Sequence, residues 1–434
     1  MKFLLEPGGT LSGSLRVPGD KSMSHRSVML GALASGTTRT TGFLEGDDAL
    51  ATVAAFRAMG VNIEGPEAGC LTIHGVGLHG LKAADSPLDM GNSGTSMRLL
   101  SGILAGQSFA TTLTGDASLQ KRPMGRVIGP LTQMGAVIQA AEAGRPPLTI
   151  EGGRNLKGIH YDLPMVSAQV KSCVLLAGLY ARGRTSVTEP APTRDHTERM
   201  LRGFGYTVQR ENGVISLEGG GALTATDIDI PADISSAAFF LVGASICPGA
   251  DLLLQHVGMN PTRIGVLNIL GLMGADITVL NEREVGGEPV ADLRVRHAPL
   301  KGIEIPEVEV PLAIDEFPAL FIAAACAEGR TVLSGAEELR VKESDRIASM
   351  AEGLTTLGIY NEVRFDGIVI DGGQIGGGAV RTFHDHRIAM SFAIASLRAE
   401  KPIEVLDCDH VATSFPGFAA LARIAGLQLT VQDD

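Results

Sequence analysis

The feature that most constrains the fold of this chain is a repeat of about 72 residues, one sixth of its 434-residue length. Six segments rich in Ala, Leu and Gly have the composition of buried helices, and each opens on a Ser or Asp that can cap a helix N-terminus. These residues are Ser24, Ser93, Ser167, Ser235, Asp315 and Asp385, at intervals of 69, 74, 68, 80 and 70 residues. Five segments end at a glycine suited to the left-handed conformation that stops helices: Gly36, Gly106, Gly183, Gly249 and Gly329.

A second series of glycines has the same count. Each follows a more amphipathic helical pattern and precedes a strand-like alternation of apolar and polar residues. The series consists of Gly60, Gly135, Gly205, Gly274, Gly358 and Gly426, at intervals of 75, 70, 69, 84 and 68 residues. Two series with one period predict six copies of a βαβαββ unit.

The predicted fold class is α/β, with the six units arranged as two lobes of three. The first helix of each unit is apolar on nearly all sides, which predicts burial, whereas the second keeps a charged face. We expect residues 20–230 to form the lobe of units one to three. Residues 1–19 and 231–434 are expected to form the other lobe, units four to six plus an N-terminal strand. A solenoid of six stacked units is the alternative, although solenoid repeats usually span only about 20 to 50 residues.

Composition disfavours several classes of function. A net charge of -12 disfavours a surface that coats nucleic acid, and 4% aromatic residues with no Trp leave little for base stacking. The five cysteines are far apart, which predicts neither disulfides nor a zinc site. His384 and His386 do not share a helix face at their spacing, so no metal is expected. No apolar stretch resembles a signal peptide or membrane span, and we expect a cytoplasmic protein.

Lysine and arginine residues recur near the starts of the predicted helices. A helix N-terminus already carries partial positive charge, so a cation beside it favours an anion site. One such residue is usually a solvated surface charge, but recurrence at equivalent positions predicts a cleft between the lobes that binds several anionic groups. The cations are Lys21, Arg26, Arg98, Arg122, Arg126, Lys171, Arg194, Arg263, Lys342, Arg346 and Arg387.

Two acidic residues stand among these cations. Asp315 is suited either to a plain helix cap or to a general base, and the sequence alone leaves both open. Glu343, between Lys342 and Arg346, is a candidate proton relay.

Ordered motifs over essentially the whole chain resemble those of the 3-phosphoshikimate 1-carboxyvinyltransferase family, also called 5-enolpyruvylshikimate-3-phosphate (EPSP) synthases. Each motif is weak alone, and their ordered conjunction is highly specific. The resemblance implies a two-lobed inside-out α/β barrel, the enolpyruvyl transferase fold, with the active site in the cleft between the lobes. The motifs are PGDKS at 18–22, SHR at 24–26, GNSGT at 91–95, KRPM at 121–124, SAQ at 167–169, RDHTE at 194–198, LRVKESDR at 339–346 and DHR at 385–387.

The resemblance also implies a reaction and its residues. The family transfers the enolpyruvyl group of phosphoenolpyruvate to the 5-hydroxyl of shikimate 3-phosphate and releases phosphate. By this likeness Asp315 is the base toward the hydroxyl, while Lys21 and Glu343 handle the methylene proton. Shikimate 3-phosphate is expected to bind Lys21, Ser22, Arg26, Ser167, Ala168, Gln169, Arg194, Asp315 and Lys342. Phosphoenolpyruvate is expected to bind Lys21, Gly94, Arg122, Gln169, Arg346 and Arg387.

No cofactor, metal, nucleic acid or membrane partner is expected, and we expect a monomer. Two positions depart from the family pattern: Thr413 replaces a usual lysine, and Ala168 replaces a common serine. The nearest rival function is that of the UDP-N-acetylglucosamine enolpyruvyl transferase of the same fold, but residues 115–126 lack the cysteine usual there. An RNA-end-modifying enzyme and a noncatalytic anion-binding scaffold are more distant rivals.

Overall fold

The computed structural model describes residues 1–433, which divide into two compact units. The inserted unit comprises Gly19–Ile230 with Val285–Gly287. The terminal unit comprises Met1–Pro18, Pro231–Glu284 and the described part of Glu288–Asp434. Each unit is built around its own hydrophobic core.

The helices, in chain order, are α1 (Lys21–Leu33), α2 (Asp47–Ala58), α3 (Gly94–Ala105), α4 (Gly125–Gln133), α5 (Ala168–Gly178), α6 (His196–Gly203), α7 (Ile234–Ile246), α8 (Gly265–Leu272), α9 (Phe317–Cys326), α10 (Arg346–Thr356), α11 (His386–Ala395) and α12 (Phe418–Ala425). The odd-numbered helices are the predicted buried ones. All 13 residues of α7 are buried, because its sequence carries no charge on any side.

The strands are β1 (Lys2–Gly9), β2 (Ser12–Leu15), β3 (Ser35–Thr41), β4 (Asn62–Glu67), β5 (Cys70–Val76), β6 (Leu88–Asp89), β7 (Thr111–Thr114), β8 (Ile138–Ala141), β9 (Arg145–Ile150), β10 (His160–Asp162), β11 (Arg184–Thr188), β12 (Gln209–Glu211), β13 (Val214–Glu218), β14 (Ile228–Asp229), β15 (Asp251–Gly258), β16 (Asp276–Val285), β17 (Glu288–Arg296), β18 (Arg330–Leu333), β19 (Asn361–Arg364), β20 (Gly367–Asp371), β21 (Gly378–Arg381), β22 (Ile403–Leu406) and β23 (Leu427–Gln432).

The strands form one small sheet per repeat. In the sheet ordered β6-β7-β9-β8, β6 runs parallel to β7, and β9 pairs antiparallel with both β7 and β8. Helices α3 and α4 make the two crossovers, which gives the unit βαβαββ. The inserted unit adds the sheets β14-β3-β5-β4 and β10-β11-β13-β12, and the terminal unit holds β16-β17-β15-β2, β18-β20-β19 and β21-β22-β1-β23.

Three strands complete sheets that are distant in sequence. The strand β2 pairs in parallel with β15, β14 pairs in parallel with β3, and β1 lies between β22 and β23. The predicted strand before Lys21 is therefore present as β2, and its partner belongs to the fourth repeat. The chain has the predicted six copies of the unit, three in each lobe, and in the fifth copy the first strand is reduced to an isolated parallel bridge between Glu304 and Val332.

The second glycine series follows the even-numbered helices, as the sequence pattern predicted. All six members, from Gly60 to Gly426, have positive φ, between 79° and 119°, where a residue with a side chain would be strained. The left-handed conformation predicted for Gly106 of the first series is wrong, because its φ is -91° and its backbone is right-handed. A Cβ at Gly106 would overlap the ring of Tyr180, so packing rather than backbone handedness requires glycine here.

Three predicted helix caps are also corrected. The first helix is capped by Asp20, whose carboxylate accepts from the backbone N–H of Met23 at 2.8 Å, and Ser24 lies inside the helix. In α7 the cap is Asp233 rather than Ser235. The predicted cap Asp315 lies one residue before the cap position of α9. Ser93, Ser167 and Asp385 do cap α3, α5 and α11.

Among the described residues, no helix combines the length and the hydropathy that crossing a lipid bilayer requires.

Candidate active site

The inserted unit places Lys21 at the first position of α1, where its ammonium meets an acid from the next helix. Nζ of Lys21 lies 3.0 Å from Oδ2 of Asp48, in the first turn of α2. The Lys21 side chain keeps 23% of its surface exposed. The ammonium is thus half-buried and held beside a carboxylate of α2.

Two guanidinium groups flank Gly94 at the start of α3. A Cβ placed on Gly94 would lie 2.8 Å from one terminal nitrogen of Arg98 and 3.4 Å from one of Arg122. Arg98 donates to the side-chain oxygen of Gln169 at 2.7 Å, and Arg122 donates to that of Asn92 at 2.6 Å. The absence of a side chain at Gly94 therefore leaves room beside two cations and a helix N-terminus, an arrangement suited to a carboxylate or phosphate.

Helix α5 contributes the other half of this arrangement. Ser167 caps the helix by accepting from the backbone N–H of Val170 at 3.4 Å. Gln169 is fixed in both directions, since its amide nitrogen donates to the Thr95 hydroxyl at 2.9 Å and its oxygen accepts from Arg98. Ser167, Ala168 and Gln169 are each half-buried.

Arg26 lies deeper than its position in the sequence suggests. Its Nε donates to the Thr197 hydroxyl at 2.7 Å, and its terminal nitrogens donate to the Ser172 hydroxyl at 2.9 Å and the Ser22 carbonyl at 2.8 Å. Arg26 is only 4% exposed. Its charge is thus held by neutral oxygens in three segments of the inserted unit.

His25 links the starts of the first three helices. Its Nδ1 lies 2.8 Å from the Thr52 hydroxyl, which lies 2.7 Å from the Ser96 hydroxyl; that in turn lies 2.7 Å from the hydroxyl of Ser93. Burial lowers the pKa of His25 to about 3, although Asp48 opposes the shift. The imidazole is therefore neutral at working pH and adds no charge beside Lys21.

In the terminal unit, Asp315 lies in the turn before α9 between two cations. Its Oδ1 lies 3.2 Å from a terminal nitrogen of Arg346 and 3.4 Å from Nζ of Lys342. The side chain is 13% exposed, so the carboxylate is neither fully buried nor freely hydrated. A carboxylate fixed in this way is suited to accept a proton from a bound hydroxyl.

Arg346 is the centre of the terminal cluster. Besides Asp315, it contacts Glu343 Oε2 at 2.6 Å and Asp385 Oδ2 at 2.8 Å, with only 1% of its side chain exposed. Burial disfavours its charge, but Asp385, Glu343 and Asp315 together raise the pKa of Arg346 above its ordinary value. Burial likewise opposes ionisation of Asp385, yet Arg346 outweighs it and lowers the pKa of that carboxyl.

Arg387 joins the same cluster from the first turn of α11. Its guanidinium donates to the backbone carbonyl of Asp315 at 2.8 Å and lies 3.7 Å from Oε1 of Glu316. The same Glu316 oxygen accepts from the Ser235 hydroxyl, and Ser235 also accepts from Arg263 at 2.6 Å. The terminal unit therefore brings Asp315, Lys342, Glu343, Arg346 and Arg387 into one connected group.

The structure separates the predicted cations by their surroundings. Lys171, Arg263 and Arg346 are all buried and paired with acids, so each charge is already engaged by carboxylates of the protein. Arg194 is half-buried and immediately precedes Asp195, the residue before α6.

Thr413, which replaces the lysine usual in the family, donates from its hydroxyl to the backbone carbonyl of His410 at 2.7 Å.

Two acids of the clusters, Asp48 and Glu316, were not predicted from the sequence. Glu316 adjoins Asp315, and Asp48 is one of two acids opening α2. That position is favourable for any helix, so it gave no distinguishing signal. Within residues 1–433, no group of three or more His, Cys, Asp or Glu side chains is arranged to hold a metal ion.

Comparison with known proteins gives consistent matches. The family model for EPSP synthase (3-phosphoshikimate 1-carboxyvinyltransferase) matches residues 5–421. The 3-phosphoshikimate 1-carboxyvinyltransferase of Alkalilimnicola ehrlichii is 69% identical over 434 residues, covering 100% of this chain and 97% of that protein. The protein of the same name from Methylococcus capsulatus is 68% identical over 429 residues, covering 99% and 98%.

Solved structures match along the whole chain as well. EPSP synthase from Acinetobacter baumannii superposes with a TM-score of 0.92 at 62% identity, covering 100% of both chains. The enolpyruvyl transferase NikO from Streptomyces tendae superposes with a TM-score of 0.79 over 99% of this chain and 98% of its own. NikO is only 17% identical, so this second likeness concerns the fold alone.

Proposed function

This chain belongs to the 3-phosphoshikimate 1-carboxyvinyltransferase family, and we propose that the side-chain clusters of its two units share the work of that reaction. The enzyme transfers the enolpyruvyl group of phosphoenolpyruvate to the 5-hydroxyl of shikimate 3-phosphate, a step of aromatic amino acid biosynthesis, and releases phosphate. Both substrates are highly anionic and repel each other. Fixed cations and helix N-termini offset that repulsion without the cost of rearranging during the reaction.

The substrates divide the predicted residues between them. Gly94 makes room for phosphoenolpyruvate beside Arg122, and Arg387 holds part of its remaining charge. Arg346 takes up the rest by exchanging one of its carboxylate partners for the substrate. Shikimate 3-phosphate is bound through Ser22, Arg26, Ser167, Ala168, Gln169, Arg194, Asp315 and Lys342. Lys21 and Gln169 serve both substrates.

The chemistry needs a proton on the methylene carbon of phosphoenolpyruvate and attack by the 5-hydroxyl on the cationic carbon so formed. Phosphate is then eliminated from the adduct as a proton is lost from the new methyl group, which restores the double bond. Asp315 takes the hydroxyl proton, because Lys342 and Arg346 beside it favour the charged carboxylate that a base must have. Lys21 and Glu343 handle the methylene proton. Every step uses side chains of this protein and the two substrates.

The observation that carries this proposal is that the buried guanidinium of Arg346 contacts both Asp315 and Glu343. One cation thereby fixes the proposed base and one of the two proposed proton-handling groups relative to each other. Such fixed geometry is what lets an acid and a base act on one bound molecule.

A phosphate-release assay with purified protein tests the proposal. We expect release that requires both shikimate 3-phosphate and phosphoenolpyruvate and that proceeds without added metal or nucleotide. UDP-N-acetylglucosamine in place of shikimate 3-phosphate separates the nearest rival function, and turnover with that sugar would contradict the proposal. Binding of both substrates without turnover would favour the anion-binding scaffold. The cytoplasmic location and the monomeric state stay predictions.

A further inference from the structure

The buried ammonium of Lys171 has no part in the reaction described above, yet it connects two segments that carry proposed substrate ligands. Lys171 lies in α5, four residues after Ser167, and its side chain is 0% exposed. Its Nζ lies 2.8 Å from Oε1 of Glu198 and 3.1 Å from Oε2 of Glu189. Two carboxylates and the backbone carbonyl of Thr193 occupy this ammonium, and no substrate contact is proposed for it.

The segment between β11 and α6, residues 189–195, is held by this ammonium near both of its ends. Lys171 Nζ also donates to the backbone carbonyl of Thr193 at 3.4 Å. Oε2 of Glu189, which begins the segment, accepts from the backbone N–H of Thr193 at 2.9 Å and from its hydroxyl. These bonds fix the backbone at the residue immediately before Arg194.

The charges around Lys171 balance. Arg210 lies 3.8 Å from the other oxygen of Glu189, so two cations face two carboxylates. A buried ion pair adds little stability compared with apolar side chains of the same volume, and in some proteins its contribution is a fixed geometry. Here the fixed geometry is that of segment 189–195 relative to the start of α5.

We propose that Lys171 is a positioning residue for shikimate 3-phosphate. It holds segment 189–195 so that Arg194 meets the substrate together with Ser167 and Gln169 of α5. This inference rests on the proposed role of Arg194 as a ligand of shikimate 3-phosphate. Lys171 itself does not touch the substrate.

A double-mutant cycle on KM tests the proposal in the full-length enzyme. We expect Arg194→Ala and Lys171→Met each to raise the KM for shikimate 3-phosphate roughly 10- to 100-fold, because misplacing a ligand by about 1 Å can cost up to that factor. The KM for phosphoenolpyruvate should change far less. The double variant should be no worse than Arg194→Ala alone, since Lys171 acts through Arg194.

Two further variants separate positioning from stability. Lys171→Met leaves the Glu198 carboxylate without its cation. The variant Lys171→Met/Glu198→Gln removes one charge of each sign, and Glu189 keeps Arg210 as its ion-pair partner. This variant should fold and should show the same rise in KM for shikimate 3-phosphate. Leu148→Ala, at a fully buried position of strand β9, is the control, and it should lower the melting temperature with KM unchanged.

Each outcome decides a different point. An unchanged KM for shikimate 3-phosphate in the folded Lys171→Met/Glu198→Gln variant would overturn the positioning role. Effects of Lys171→Met and Arg194→Ala that multiply in the double variant would overturn it too, while leaving Arg194 as a ligand. An unchanged KM in Arg194→Ala would instead overturn the ligand assignment on which the inference rests.

Discussion

At the scale of single residues, Asp315 carries the most specific chemical assignment. Asp315→Asn keeps the shape of the side chain but removes the basic oxygen, so we expect kcat to fall roughly 10²- to 10⁴-fold. The fold should persist, because Arg346 keeps Glu343 and Asp385 as partners. Steady-state kinetics and a thermal melt measure the two effects. Asp371→Asn, which alters an exposed ion pair with Arg330, is the control and should retain parental kcat.

Gly94 predicts a selective effect on one substrate. A methyl group at this position would press on the guanidinium of Arg98 at 2.8 Å and reach that of Arg122. We expect Gly94→Ala to raise the KM for phosphoenolpyruvate roughly tenfold, about the loss of one charge-assisted hydrogen bond. The KM for shikimate 3-phosphate should change less. Gly129→Ala, whose Cβ would meet nothing within 4 Å, should leave both KM values unaltered.

His25 makes the stability of the inserted unit depend on pH. Its pKa is lowered to about 3 by burial, so between pH 6.5 and 3 the unfolded chain binds a proton that the folded chain does not. Stability is therefore lost as pH falls through this window. From pH 7 to pH 5 the histidine should remove about 2 kcal/mol of unfolding free energy.

Urea titrations at the two pH values measure this contribution. His25→Asn cannot take up the proton, so the difference in unfolding free energy between pH 7 and pH 5 should shrink by that amount. His160→Asn changes an exposed histidine and is the matched control. If the difference in unfolding free energy between pH 7 and pH 5 were the same in His25→Asn as in the parent, the account would be contradicted. His25 would then take up its proton as readily in the folded protein as in the unfolded chain.

Individual residues also show which properties of the site could be predicted from the sequence and which could not. Lys171 and Arg122 look alike in the sequence, as cations near helix starts. Only tertiary structure reveals that Lys171 is enclosed by Glu189 and Glu198, which lie 18 and 27 positions away along the chain. Burial and pairing decide whether a cation can meet a ligand, and neither can be deduced from local sequence.

At the scale of helices, the site depends on how closely α3 and α5 approach. Gly102 of α3 lies against the backbone of Cys173 in α5, and a Cβ at Gly102 would overlap the Cys173 carbonyl oxygen. The same two helices carry Arg98 and Gln169, which are hydrogen-bonded at 2.7 Å. A change at the contact between α3 and α5 should therefore alter the relative positions of Arg98 and Gln169.

Gly102→Ala tests this dependence. We expect it to destabilise the protein by about 1 to 3 kcal/mol, the usual cost of overpacking a core, and to raise KM for both substrates because Gln169 is displaced. A urea titration and steady-state kinetics measure the two effects. Gly129→Ala, in α4, serves again as the control. A destabilised Gly102→Ala enzyme with parental KM values would show that the helix contact does not position the site.

Helix positions were predicted well from periodicity, whereas helix starts were predicted less well. Ser24 and Ser235 are good capping residues by type, but Asp20 and Asp233 lie just upstream and cap instead. Asp315 is not the cap because its carboxylate is bound by Lys342 and Arg346. Competition among nearby polar groups, which a single position does not show, decides the cap.

At the scale of the whole molecule, the repeat period predicted six units because each unit must bury one apolar helix. The period did not predict which strand completes which sheet. The pairing of β1 between β22 and β23 joins residues about 400 positions apart, and no local pattern encodes such a contact. The sequence motifs predicted the family, and the geometry of each cluster came only with the structure.

The most direct test of the central claim is the KM for phosphoenolpyruvate in Arg122→Ala, from the inserted unit, and Arg387→Ala, from the terminal unit. We expect both single variants to raise this KM at least roughly tenfold, since each removes a charge-assisted contact. The exposed arginines Arg154 and Arg330, each replaced by Ala, are the matched controls. If either Arg122→Ala or Arg387→Ala bound phosphoenolpyruvate as the parent enzyme does, the two units would not share that substrate.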